Sequence, residues 1–126
     1  MSRTASLLAA TAFAVFAAGP AGAFDKGDAA RGKALYAQCR SCHMPQANSV
    51  GPKHCGVVGR KAATVAGYTY SPAMRKSGLT WTPDTLDRFL TAPARTVPGN
   101  FMPFAGLSKP QERADIIAYL ATLTCP

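Results

Sequence analysis

Cys39-Arg40-Ser41-Cys42-His43 is the stretch that decides how this 126-residue chain is read. Two thiols separated by two residues, with an imidazole directly after the second, form the pattern that attaches a c-type haem. Each thiol can make a thioether bond to one vinyl group of the porphyrin. The adjacent histidine can then turn its ring onto the iron. Two other readings of the motif compete. A zinc site would need a second ligand pair, and Cys55 and Cys125 are single and far apart. A thioredoxin-like dithiol would want a βαβ setting, and no strand-like run precedes Cys39.

The N-terminus suits an exported haem protein. Arg3 is followed by the apolar run ASLLAATAFAVFAAGP, and Ala21-Gly22-Ala23 offers small residues at a cleavage position. Residues 1–23 therefore read as a secretory signal peptide, and residues 24–126 as one domain of 103 residues beginning at Phe24. The apolar run is short for a spanning helix, so an uncleaved anchor is the secondary reading. Loss of Arg3 with the leader leaves 13 basic against 6 acidic side chains, a net charge of +7. Such a charge favours an acidic partner surface or, at most, peripheral contact with anionic lipid. No nucleic-acid module is recognisable.

The remaining pattern is helical. Gly32, Leu35, Tyr36 and Cys39 recur at helical spacing, so a first helix over 28–38 should deliver the cysteines. Residues 45–67 are glycine-rich and aperiodic, which reads as loop. Ser71-Pro72 and Thr82-Pro83 each place a capping hydroxyl before a proline at the first helical position. Gly78 can end the first of these helices. Leu86, Phe89 and Leu90 form the inward stripe of the second, which Pro93 stops. Ser108-Lys109-Pro110-Gln111 reads as a capping box opening a last helix with Ile116, Ile117, Leu120 and Leu123 on one side, ending near Thr122. No alternating strand pattern appears, and a small all-α fold follows.

An iron held by His43 needs a sixth ligand. Met44 is too close to His43 to reach the opposite face. Met74 falls in a short helix and reads as packing. Met102 lies in VPGNFMPFAG, a loop far enough along the chain to cross to the other face, and is the candidate ligand. His54 competes, either as a surface histidine, a bond donor near the porphyrin or a misligated alternative. Any buried propionates would need donors. Arg60, Tyr70 and Trp81 could supply them, with core aromatics as the plainer reading of the last two.

In order along the chain, Cys39-x-x-Cys42-His43, Gly51-Pro52, Gly56, Gly59-Arg60, Gly67-Tyr68-Thr69-Tyr70-Ser71, Trp81 and PGNFMPFAG resemble the class I cytochromes c, of the bacterial c2 and mitochondrial type, over nearly all of 24–123. The resemblance implies a small monohaem fold with one covalent haem c per chain. It implies that Pro52 offers its carbonyl to His43, and that Arg60, Tyr70 and Trp81 surround the propionates. It also implies that the first and last helices cross near Gly32 and Tyr119. With both axial positions filled, the implied function is one-electron transfer in the periplasm by a monomer, with no catalytic residues. The implied partners are redox proteins such as a cytochrome bc1 complex and a terminal oxidase or photosynthetic reaction centre. A haem peroxidase or gas sensor with a labile Met102 is one alternative. An accepting module dedicated to one dehydrogenase complex is another.

Three residues depart from the family pattern. His54 stands where an apolar residue is usual, Phe89 where many members have a tyrosine that donates to the methionine sulfur, and Phe101 where many have a lysine. Lys53, Lys61, Arg75, Arg95 and Lys109 are candidates for a basic docking face in its place. Cys55 and Cys125 are spare. An exported protein with two spare cysteines is a candidate for one disulfide, although the family has no such pair as a general feature. The alternative is one buried and one free terminal thiol.

Overall fold

A computed structural model describes residues 27–126. Residues 1–26, on which the expected leader and its cleavage position fall, lie outside the described residues. In chain order the elements are α1 (Ala29–Leu35), a 3₁₀ turn (Tyr36–Gln38), α2 (Pro72–Lys76), α3 (Pro83–Thr91), α4 (Pro93–Thr96) and α5 (Pro110–Thr122). Among the described residues the only β pairing is an isolated bridge between Lys61 and Thr80. The architecture is all-α.

Local chemistry accounts for most helix boundaries. Among the described residues, four of the five helices begin with proline, whose missing N–H costs nothing at the first turn. Ser71 Oγ accepts from the Met74 N–H at 3.0 Å, and Thr82 Oγ1 from that of Thr85 at 3.2 Å. Asp28 caps α1 by accepting from Ala30 and Arg31. Gly78, at φ +66°, turns the chain just beyond α2. The start of α5 corrects the sequence reading. Pro110 is its first residue, so Lys109 occupies the cap position and supplies no capping oxygen. Ser108 lies one residue too early, and its carbonyl accepts from the Arg113 guanidinium instead. The first helix also differs, because its last turn tightens to 3₁₀ before Cys39. Pro93 ends α3 as expected but also opens the single turn of α4.

The helices α1 and α5 cross at glycine. A Cβ on Gly32 would fall on the Asp115 carbonyl and lie 2.9 Å from Tyr119 Cβ; one on Gly27 would fall on the Ala114 carbonyl. Only glycine lets the backbones come this close. Asp115 fastens the crossing. Its Oδ1 accepts from the Asp28 N–H at 2.7 Å and from Gln111, and its Oδ2 accepts from Arg31 Nε at 2.9 Å. The Arg31 guanidinium, with the Asp28 N–H, holds this carboxyl well below the usual carboxylate range. The depressed folded value fixes the sign of its effect. Its contribution is complete above the unfolded pKa of about 3.9 and is lost as pH falls toward the folded value. Asp115→Asn should therefore lower the thermal midpoint at pH 7, and the gap from the parent should narrow below about pH 4. A gap constant from pH 7 to 3 would show that the ionised carboxylate is not what fastens the crossing.

The core comprises Tyr36, Val57, Ala62, Trp81, Leu86, Phe89, Leu90, Val97, Leu107, Ile116 and Leu120. It does not close on itself. Most of these side chains also border a single large cavity, into which the Cys-x-x-Cys-His segment opens.

Candidate haem site

The cavity has a volume of about 490 Å³. Cys39, Cys42, His43, Pro52, Arg60, Tyr70, Trp81 and Met102 all border it. Every cofactor and iron residue expected from the sequence is thus brought to one place. Cys55 and Cys125 are not on its wall. They are joined in a disulfide, with Cα atoms 4.9 Å apart.

The proximal side is built by laying residues 51–55 along residues 42–45. The Gly51 N–H donates to the Cys42 carbonyl at 2.8 Å, that of His54 to Met44, and that of Cys55 to the Pro45 carbonyl at 2.7 Å. This register puts the Pro52 carbonyl 2.8 Å from His43 Nδ1. With Nδ1–H donated there, Nε2 is left with its lone pair for a metal. Burial lowers the His43 pKa, and the Pro52 bond opposes that only in part, which favours the neutral ring. Gly51 is required at this point because a Cβ would land on the His43 ring. Burial, with Cys42 beside it, pushes the Cys39 thiol up to about 11.

A second set of loop bonds gathers the polar end. Gly59 N–H donates to the Trp81 carbonyl, Trp81 N–H to that of Arg60, and Ala62 N–H to that of Leu79. Arg60 and Trp81 are thereby held side by side. The Arg60 guanidinium donates to the carbonyls of Cys55 at 2.8 Å and Lys53 at 3.0 Å. Arginine has five N–H groups, so donors remain for an anion after these two bonds. Tyr68 Oη donates to the Val50 carbonyl at 2.8 Å and packs edge-on against Tyr70.

The Met102 loop is held by a residue that the sequence reading passed over. Asn100 Nδ2 donates to the carbonyls of Pro93 at 3.0 Å and Val97 at 2.9 Å, and its Oδ1 accepts the Met102 N–H at 2.8 Å. Its position after Pro98-Gly99 in a turn was the available signal. Phe89 is buried against Trp81 with ring centroids 5.0 Å apart and brings no hydroxyl to the cavity. Met74 borders the cavity too, packed on the core.

His54 is neither a surface residue nor an opposing ligand. Its ring is stacked on that of His43, centroids 4.0 Å apart and planes at 19°. It therefore lies on the His43 side of the cavity. Burial, with His43 and Arg60 adjacent, pushes its pKa down to about 3.

Outside the cavity mouth, Val50 and Phe101 are 69% and 65% exposed, which makes part of the rim apolar. Of the basic candidates, Lys61, Arg75, Arg95 and Lys109 are exposed and Lys53 is half-buried. Arg75 is bonded to the Tyr70 carbonyl and Lys109 to Glu112.

This donor set fits a porphyrin: two thiols beside a neutral imidazole, a thioether sulfur, a largely apolar wall and a polar end with guanidinium, phenol and indole donors. The cytochrome c family model matches residues 29–124. The cytochrome c2 of Rhodomicrobium vannielii is 49% identical over 105 residues, covering 81% of this chain and 84% of that one. Cytochrome cH from Methylobacterium extorquens has the same fold, with a TM-score of 0.75 and 48% identity over 76% of this chain and 99% of its own. The ferricytochrome c2 of Rhodopseudomonas palustris gives 0.72 and 41% over 77% and 99%. The chain belongs to the cytochrome c family. It is a periplasmic one-electron carrier of the c2 type, with one covalently bound haem c, and not an enzyme.

Proposed function

We propose that His43 and Met102 close both axial positions of the haem iron, and that the protein carries electrons from a cytochrome bc1 complex to a terminal oxidase or photosynthetic reaction centre. The observation that carries this reading is the convergence of His43, its Nδ1 already committed to Pro52, and Met102 on the cavity that Cys39 and Cys42 border. When bound, the haem supplies a one-electron couple. The chain's own residues do the rest. His43 and Met102 offer no position to a substrate, which argues against peroxidase or gas-sensing chemistry. Arg60, Tyr70 and Trp81 hold the propionates, and the apolar wall keeps water from the metal. A carrier must also leave its partner quickly, which suits a small, salt-sensitive contact. Exposed Lys61 and Arg95, within the mature charge of +7, supply the steering. The leader is cleaved after Ala23.

Purified holoprotein tests the reading against isolated bc1, oxidase and reaction-centre complexes. Its intact mass should equal residues 24–126 plus one haem. Bimolecular rates with at least one donor and one acceptor should approach the steered range and fall steeply as ionic strength rises. A flat salt dependence would assign docking to the apolar rim around Phe101 and Pro103. No transfer with any of the three would remove the general shuttle in favour of one dedicated dehydrogenase.

A further inference from the structure

A single hydrogen bond sets a ring plane loosely. Donor geometry stays favourable over tens of degrees, so the bond from His43 Nδ1 to Pro52 leaves the imidazole room to swing. A second ring lying parallel against it does not leave that room, because tilting drives the ring edges into overlap. His54 is that ring, stacked on His43 at 4.0 Å.

Packing alone would be met by an apolar side chain. His54 is held by more than packing. Its Nδ1 is 2.9 Å from Tyr36 Oη, and Tyr36 is 1% exposed. The same Oη is 3.2 Å from the backbone carbonyl of His43. A phenol has one hydrogen and a carbonyl has none. Both bonds can form together in only one proton arrangement: His54 Nδ1–H donates to Tyr36 Oη, and Tyr36 O–H donates to the His43 carbonyl. The chain of bonds starts at the ring lying on His43 and ends at the main chain of His43. Tyr36 is itself fixed by its place in the 3₁₀ turn before Cys39 and by Tyr119, whose ring centroid is 5.1 Å away.

We propose that His54, anchored by Tyr36, is a positioning residue that fixes the plane of the His43 imidazole. The proposal rests on the reading of His43 as the axial ligand. The plane of an axial imidazole determines how unpaired spin is spread over a ferric porphyrin, so it is read directly in the ferric haem-methyl proton shifts and the g-tensor. Stability alone does not move those signals.

The test uses holoprotein throughout. In the reduced, diamagnetic parent, long-range proton–nitrogen correlation should find His54 as the Nδ1–H tautomer; an Nε2–H tautomer would overturn the bond chain and with it the proposal. In the ferric state, His54→Leu should change the order or spread of the haem-methyl shifts. Tyr36→Phe, which keeps the His54 ring but frees it, should shift them in the same direction by less. The double variant should fall short of the sum. A His54→Leu protein with the parent's methyl pattern and g values would make His54 mere packing and overturn the proposal. Should His54→Leu fail to hold haem, Tyr36→Phe and the parent's tautomer decide. The axial reading fails separately, through the absence of a low-spin histidine–methionine signature in the parent.

Discussion

Met102→Ala should abolish the weak near-infrared band of methionine–iron coordination in the ferric protein. It should also lower the reduction potential by on the order of 0.1–0.3 V, a part of the roughly 0.8 V that axial ligands span. A thioether is a soft, neutral donor that favours ferrous iron. Water or hydroxide, the obvious replacements, favour ferric iron. The loop would survive the change, because Asn100 holds it through main-chain partners at Pro93, Val97 and Met102, none of which needs the methionine side chain. Met74 supplies the control, since it borders the same cavity. Met74→Leu should keep the band and the potential. A band that persists in Met102→Ala and vanishes in Met74→Leu would transfer the ligand role to Met74. Phe89 makes the result easier to read, because no phenol from that position competes for the sulfur or the vacated site.

What could be read from the sequence was whatever is encoded locally. Ser71-Pro72 and Thr82-Pro83 start helices because a hydroxyl cap and a proline at the first helical position act within one turn. The haem motif is local as well, five residues with one chemistry. The errors lie where two local rules collide, as at Ser108, where the proline at 110 fixed the helix start one residue too late for the serine to cap it. His54 could not be placed at all. Its position depends on residues 51–55 pairing with 42–45, and its partner Tyr36 is 18 positions away in a helical turn that reads as core. No periodicity joins those segments. Asn100 and the two carbonyl bonds of Arg60 were hidden for a different reason. Their partners lie two to seven residues away, but in irregular or tightly turned chain, where no periodicity says which carbonyl a side chain meets.

The spare cysteines carry the largest expected effect on stability. Cys125→Ser should destabilise the holoprotein by roughly 2–4 kcal/mol, the usual range for a bond closing a span of this length. For a domain of this size that is a fall in thermal midpoint on the order of 10–20 °C. The closed span is 70 residues and takes in α2 to α5. Removing the bond would let the unfolded chain expand across all of it. In the native state the tail has other holds. The Gly56 N–H donates to the Leu123 carbonyl at 2.6 Å, and Gln46 Nε2 donates to that of Thr124 at 3.1 Å. These bonds should keep the tail in place without the sulfur bridge, so the loss should fall on the unfolded side of the balance. Cys55 is fully buried and would be left as a thiol beside the proximal loop, while Cys125 lies at the surface. Cys55→Ser would therefore cost more than Cys125→Ser, because it adds a buried hydroxyl to the lost bridge. Iodoacetamide treatment of the unfolded, unreduced holoprotein should modify no cysteine, and two after reduction. Two modified cysteines before reduction, or a Cys125→Ser midpoint within a degree or two of the parent, would show that the bridge does not form in the exported protein.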